Sequence, residues 1–325
     1  MSKTKNKRKP AKARASLKKA APPVSFSPFD TERMNRKIGK LLQGREFEDI
    51  DEANKFIGKV LERENVKDLG DTSMFAGDPI ETAQELAFQS MEATSDRKSL
   101  ELARNALELD PDCIDARMVV IQLTVADPNK RVDAFKKVLE DTRRKMGSEF
   151  FEENKGHFWG IVETRPFMRA LETQAFLLSS LGRVGEAIAA MEEMLALNPN
   201  DNQGVRDPLL GLYLGESDVL KAHMLLNRYS EDDLAIFSWG RAIERFLSGD
   251  MAAARNALDK AFDSNPHILA VMAGVEDMPD DYGGGYSPGD VSEAWYCLSV
   301  LGPVFEKQPD FMTWLASELP RLLRA

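Results

Sequence analysis

Apolar residues recur at helical spacing along most of the chain, beginning near the N-terminus. Between residues 31 and 43, four of them fall on one stripe of a helix, and Gly44 ends the pattern. These four are Met34, Ile38, Leu41 and Leu42. A second stripe of the same period starts at about Asp51. No alternating run competes with these stripes, so the pattern predicts an all-α fold that opens with a helical hairpin over residues 24–66.

A longer array of helices is predicted after a Gly-containing boundary at residues 66–79. Asp78 followed by Pro79 is a typical helix start, because Asp caps free N–H groups and Pro fits the first helical position. Beyond it, two helices joined by a short turn and followed by Pro recur, and Pro199 and Pro266 lie 67 residues apart. That spacing is close to twice a roughly 34-residue period. It predicts four to five helix pairs over roughly residues 79–275, interrupted by a charged insertion near 130–156.

The residues at the expected helix contacts resemble the tetratricopeptide-repeat family. Small residues fall at the repeat positions where two helices approach or turn, namely Ala106, Ala187, Ala254, Ala261, Gly182 and Gly249. The chain departs from the family at the position that is often Gly and is here Ala87, Ala175 and Ala242, and the copy between Asn200 and Glu231 has lost most of the signature. The resemblance implies a right-handed α-solenoid of antiparallel helix pairs. It also implies a concave groove, lined by the first helix of each pair, that binds a peptide or helix of another protein.

A narrower resemblance rests on three blocks, at residues 158–170, 197–206 and 286–290. Together they are similar to the repeat domain of the suppressor-of-tumorigenicity-seven family and its soluble bacterial relatives, over about residues 110–310. The animal members carry membrane spans, whereas no run in this sequence approaches the roughly 20 apolar residues that cross a bilayer. No membrane partner is therefore expected, and the family contributes no catalytic residue.

Charge divides the chain into a basic tail and an acidic body. Residues 1–23 contain nine Lys/Arg and no acid, so the remainder holds 34 basic and 53 acidic residues. With so little apolar surface the tail is predicted to be disordered. The alternative to a protein scaffold is a nucleic-acid-associated factor tethered through this tail, whose binding would weaken steeply as salt rises. Two cysteines far apart fit a reducing compartment, which favours a cytoplasmic location, or a nuclear one in a eukaryote.

The sequence favours no enzyme, cofactor or metal site. His157, His223 and His267 stand alone, without the spacing of zinc ligands. The Gly-rich run at 283–289 lacks the ending of a phosphate loop and is interpreted as a turn before a helix capped by Ser287. The Asn/Asp-rich run at 198–204 misses a calcium-loop pattern and is interpreted as an Asx turn with a helix cap.

The expected partner-binding residues occupy the groove positions of two first helices. One set is apolar and comprises Ile236, Trp239, Ile243, Phe246 and Leu247, and the other is mixed and comprises Arg169, Glu172 and Phe176. With an acidic body, the favoured partner presents a basic or amphipathic helix. Two interpretations stay open at the block of residues 158–170: Arg165 and Arg169 form an anion site, or Arg169 makes a surface pair with Glu163 or Glu172. A further alternative is that C-terminal capping helices within residues 286–325 fold back and cover the apolar set.

Overall fold

A computed structural model describes residues 27–63, 77–277 and 285–323. The predicted basic tail and most of the 66–79 boundary lie outside the described residues. Within the described ranges every regular element is helical and no strand occurs, which confirms the all-α prediction. The helices are α1 (Asp30–Leu42), α2 (Ile50–Arg63), α3 (Pro79–Glu92), α4 (Asp96–Leu109), α5 (Ile114–Thr124), α6 (Pro128–Met146), α7 (Ser148–Glu153), α8 (Arg165–Ser180), α9 (Val184–Leu197), α10 (Arg206–Gly215), α11 (Val219–Arg228), α12 (Ala235–Leu247), α13 (Met251–Ser264), α14 (His267–Met272), α15 (Val291–Lys307) and α16 (Pro309–Leu322).

Five successive pairs of helices make up the middle of the molecule. Each pair is a first helix packed against the helix that follows it, and the pairs are α3 with α4, α5 with α6, α8 with α9, α10 with α11, and α12 with α13. First helices also contact one another, α3 with α5, α5 with α8, and α10 with α12. The charged segment expected to be an insertion is not one, because most of it forms α6, the long second helix of its pair. Its apolar residues Val132, Phe135 and Val138 are buried and therefore hold it in the array.

Small side chains at the helix contacts allow this close pairing. Ala87, Ala106, Ala187, Ala254 and Ala261 have no exposed surface. Gly182 and Gly249 have φ values of +69° and +81°, a backbone conformation that side chains other than Gly rarely adopt. Each lies between the two helices of its pair, so a residue that favours positive φ stands at both turns.

The copy without a recognisable signature keeps the same turn. Ser217 lies between α10 and α11 with a φ of +57°, where the neighbouring pairs have Gly. The N–H of Asp218 donates to the carbonyl of Tyr213 at 2.8 Å, just as Asp250 N–H donates to the carbonyl of Arg245 at 3.1 Å in the next pair. The backbone turn between α10 and α11 therefore matches the one between α12 and α13, although the residue at its positive-φ position differs.

The hydrophobic core is uneven along the array. Around α3, α4 and the start of α5 the buried cluster consists mainly of alanines, with Cys113 and Val119 as its other members. From α5 to α16 a second cluster is continuous and contains the large buried side chains, among them Trp239, Phe167 and Phe311. Most of the apolar burial therefore lies in the C-terminal two thirds of the chain.

The C-terminal helices return to the array and cover part of it. α15 packs against α10, α12 and α14, and α16 packs against α12 and α15. The close approach of α15 to α10 depends on Gly211, where an added Cβ would lie 3.0 Å from Cγ1 of Val300 and 3.1 Å from its carbonyl oxygen. The predicted start of α15 needs a correction. The side chain that caps it is Asp290, which accepts from the N–H groups of Ser292 and Glu293, and not Ser287.

Candidate partner-binding surface

The candidate surface is formed by the first helices α3, α5, α8, α10 and α12, and we call it the first-helix face. Helix α1 lies against its α3 and α8 part, and helix α15 lies against α10 and α12. The apolar residues expected to line it on α12 are inside the molecule. Ile236, Trp239 and Ile243 are at most 1% exposed. Since α12 contacts α10, α11, α13, α15 and α16, it has neighbours around its circumference. These three residues therefore form internal packing, and the expectation that they line an open groove is wrong.

The remaining two residues of this set contact the C-terminal helices or the core. The ring of Phe246 lies 5.4 Å from that of Phe311 and 5.1 Å from that of Trp314, both on α16. Leu247 is half-buried against the main core. The alternative drawn from the sequence, that C-terminal helices cover this face, is confirmed at α12.

A polar contact fixes α15 on α10. The hydroxyl of Tyr296 donates to Oδ2 of Asp207 at 2.7 Å, and the ring of Tyr296 stacks on that of Tyr286 at 4.6 Å. Burial raises the pKa of Asp207 to about 6, against the lowering effects of Tyr296 and Arg206. The second carboxylate oxygen of Asp207 is buried without a hydrogen bond. Of these residues, Tyr286 belongs to the block at 286–290, and Asp207 directly follows the block at 197–206.

Arg169, on α8, is the centre of a buried ion network rather than a surface residue. Its guanidinium donates to both oxygens of Glu32, at 2.7 and 3.2 Å, and to both of Asp115, at 2.9 and 2.5 Å. Gln84 also donates to Asp115, which has no exposed surface. The expected pairing with Glu163 or Glu172 is therefore wrong, because the guanidinium pairs with Glu32 of α1 and Asp115 of α5 instead. With both carboxylates in place, no open anion site is present at Arg169.

Helix α1 reaches α8 through the Glu32–Arg169 pair and lies against α3 through further contacts. Arg33 donates to Glu85 at 2.9 Å and to Glu92 at 2.8 Å. Arg36 donates to Glu81 at 3.1 Å. The ring of Phe29, just before α1, stacks on Phe88 of α3 at 4.9 Å. The four α3 residues share one stripe of the helix, so a single surface receives α1.

The buried side of α1 differs from the prediction. Glu32 and Arg33 are its deepest residues, while the apolar Met34 and Ile38 are half-buried. Periodicity detects apolar stripes and therefore missed a charged contact face. The one available signal was the spacing of Glu32, Arg33 and Arg36, which places three charges on adjoining positions of a helix surface.

Between the two covered parts, α8 leaves a strip of the first-helix face open. Glu172 is half-buried and accepts from Nε2 of Gln203 at 2.8 Å, and burial raises its pKa. One turn further, Phe176 is 44% exposed. Gln203 comes from the Asn/Asp-rich turn, where Asp201 accepts from the N–H groups of Val205 and Arg206 as a cap does. An aromatic ring beside a carboxylate is thus offered to solvent at this point.

Across residues 27–63, 77–277 and 285–323, no three His, Cys, Asp or Glu side chains are grouped as metal ligands would be. Over the same ranges, no helix combines the length and apolar character needed to span a bilayer. Of the Gly-rich run interpreted as a turn, Gly283 and Gly284 lie outside the described residues, and Gly289 within it has a φ of +81°.

Comparisons with known proteins add no assignment. The chain matches no protein-family model, and a search of curated proteins finds no significant match.

Proposed function

We propose that this protein is an interaction scaffold that holds a peptide or helix of another protein on its first-helix face. One observation carries the proposal: this face already holds two helices of the same chain by different chemistries. α1 is held through ion pairs and a stacked aromatic pair, and α15 through apolar packing and the Tyr296–Asp207 hydrogen bond. A surface that accepts helices at both ends is suited to accept one from a partner.

The architecture we infer is a tetratricopeptide-like, right-handed solenoid of antiparallel pairs. It is supported by the buried alanines at the helix contacts and by the recurrent turn at Gly182, Ser217 and Gly249. In such an array the first helices form a continuous inner surface. The open strip around Phe176 is the part of that surface that no helix among the described residues covers. We also propose that the chain is related to the suppressor-of-tumorigenicity-seven family, which its sequence resembles.

Photocrosslinking from position 176 tests the function. A photoreactive phenylalanine replaces Phe176 in the full chain expressed in its native cell, and a second chain carries it at Leu109. Leu109, at the end of a second helix, is 43% exposed and is therefore a matched control. We expect discrete crosslinked partner bands from position 176 and none of the same mobility from position 109. Equal patterns from the two positions would exclude the strip as a specific binding surface.

A further inference from the structure

Helix α1 is attached to the array without sharing its core. None of the residues in the three buried hydrophobic clusters comes from residues 27–63, and no residue of that range is among the apolar side chains packed against them. The buried contacts that hold it are ion pairs from Glu32, Arg33 and Arg36, together with the stacked ring of Phe29. An ion pair can form again with another charge of the same sign, whereas interlocked core packing cannot be exchanged in this way.

The surface beneath α1 is unbalanced in charge when considered without it. Four carboxylates of the array contact the arginines of α1 or Arg169, and Arg169 is the one cation among these contact residues, which leaves three negative charges in excess. The carboxylates belong to Glu81, Glu85, Glu92 and Asp115. The ring of Phe88 lies in the middle of them, within 5.9 Å of the Arg169 guanidinium carbon. A ligand for this surface has to supply cations and an aromatic ring.

α1 shows how such a ligand is spaced. The ring of Phe29 reaches Phe88, the guanidinium four residues later reaches Glu85 and Glu92, and the one seven residues later reaches Glu81. Positions separated by four and seven residues lie on one side of a helix. The α3 carboxylates Glu81, Glu85 and Glu92 occupy one stripe of that helix. The arginines on one side of α1 therefore face the carboxylates on one side of α3.

We propose that the surface of α3, α5 and α8 under α1 is a docking site for a partner helix that carries an aromatic residue followed by arginine four and seven positions later. α1 is the intramolecular occupant that this helix displaces. The inference rests on the proposed scaffold function and names the chemistry of its partner. Displacement exchanges one set of ion pairs for an equivalent set, so the array keeps its own core while the occupant changes.

Competition with a synthetic copy of α1 tests the proposal. The probe is a fluorescent peptide of residues 27–43, titrated by anisotropy into the full chain and into full-length Arg33→Glu. Reversing this charge sets a carboxylate at position 33 against Glu85 and Glu92, so α1 leaves and its surface opens. We expect the probe to bind Arg33→Glu at least ten-fold more tightly than the unmodified chain. The control is Lys55→Glu, the same charge reversal at an exposed position of α2, where the affinity should equal that of the unmodified chain.

Three further measurements make the result decisive. A probe carrying Arg33→Glu should bind the opened chain at least ten-fold more weakly than the unmodified probe. If thermal melting shows that Arg33→Glu does not fold, Phe29→Ala opens the site instead, because it removes the stacked ring and leaves the charges. Equal probe affinity for the opened and unmodified chains overturns the inference. So does light scattering that shows an unmodified dimer which Arg33→Glu dissociates, because the occupant would then be α1 of a second copy.

The outcomes separate this inference from the function on which it rests. If position 176 crosslinks a partner while the opened chain gains no affinity for the probe, the scaffold stands and the arginine-bearing partner is excluded. If the probe binds the opened chain but position 176 crosslinks nothing specific, the site under α1 stands and the open strip is not the binding surface.

Discussion

Tyr296 and Asp207, 89 residues apart, form a hydrogen bond of 2.7 Å that joins the C-terminal helix α15 to the first helix α10. The carboxylate is almost fully buried, and one of its oxygens has no hydrogen bond. Desolvation disfavours the charged form of such a group, which is why its pKa rises to about 6. The contact that holds the C-terminal helix is therefore sensitive to pH.

This pKa predicts how stability varies with pH. A carboxyl whose pKa is raised in the folded state favours folding while it is protonated and loses that contribution as pH increases through the folded value. Between the unfolded value of about 3.9 and the folded value of about 6, the contribution falls by about 1–3 kcal/mol. We expect the free energy of unfolding of Asp207→Asn, measured in urea, to lack this component.

The prediction is checked by the difference in the free energy of unfolding between the two proteins, measured across pH. The unmodified chain should lose stability relative to Asp207→Asn from pH 4 to pH 7, with most of the change below about pH 6. A constant difference over this range would show that Asp207 has an ordinary pKa and that the buried contact does not control it.

Truncation of Trp239 should destabilise the fold much more than truncation of Phe176. Trp239 has no exposed surface, so Trp239→Ala should lower the free energy of unfolding by about 3–5 kcal/mol in urea denaturation. Phe176 is 44% exposed, so Phe176→Ala should lower the free energy of unfolding by well under half of that amount. If Trp239→Ala left stability unchanged, α12 would not be covered as described. Partner recovery should be tested with Phe176→Ala alone, because loss of binding by Trp239→Ala would report unfolding.

Two glycines three residues apart should show opposite effects of the same substitution. Gly182 has a φ of +69°, and nothing lies within 4 Å of an added Cβ, so Gly182→Ala tests the backbone conformation alone. It should destabilise by about 1–2 kcal/mol. Gly185 lies in the first turn of α9 with equally open space, and Gly185→Ala should be neutral or stabilise by up to about 1 kcal/mol. Thermal melts of the pair measure the difference, and equal shifts would contradict the assigned turn.

Both cysteines should be unreactive in the folded protein. Cys113 and Cys297 are buried, and desolvation raises the pKa of Cys113 to about 12 and that of Cys297 well above its ordinary value. Because the thiolate is the reactive form, a thiol-specific colorimetric reagent at pH 8 should modify neither cysteine without denaturant and both in urea. Rapid modification of one cysteine under native conditions would show that its helix opens locally.

The sequence predicted the features that depend on residues close together in the chain, such as helices and their caps. Apolar periodicity and small residues placed most of the helices and their contacts, and Asp78 with Pro79 begins α3 as expected. Contacts between distant segments were not predictable in the same way. Glu32 and Arg169 are 137 residues apart, and nothing in either local sequence specifies the other. At α15 the sequence allowed both an open and a covered groove, because the choice depends on the fit of Gly211 against Val300.

The alanine-rich cluster at α3 and α4 implies a gradient of local stability along the molecule. Alanines bury little area each, so opening this end exposes less apolar surface than opening the region around Trp239 and Phe311. Amide hydrogen exchange should therefore be fastest in the first pair and slowest in α12. The ion pairs of α1 lie across this weakly packed end, so breaking them with Arg33→Glu should speed exchange in α3 far more than in α12.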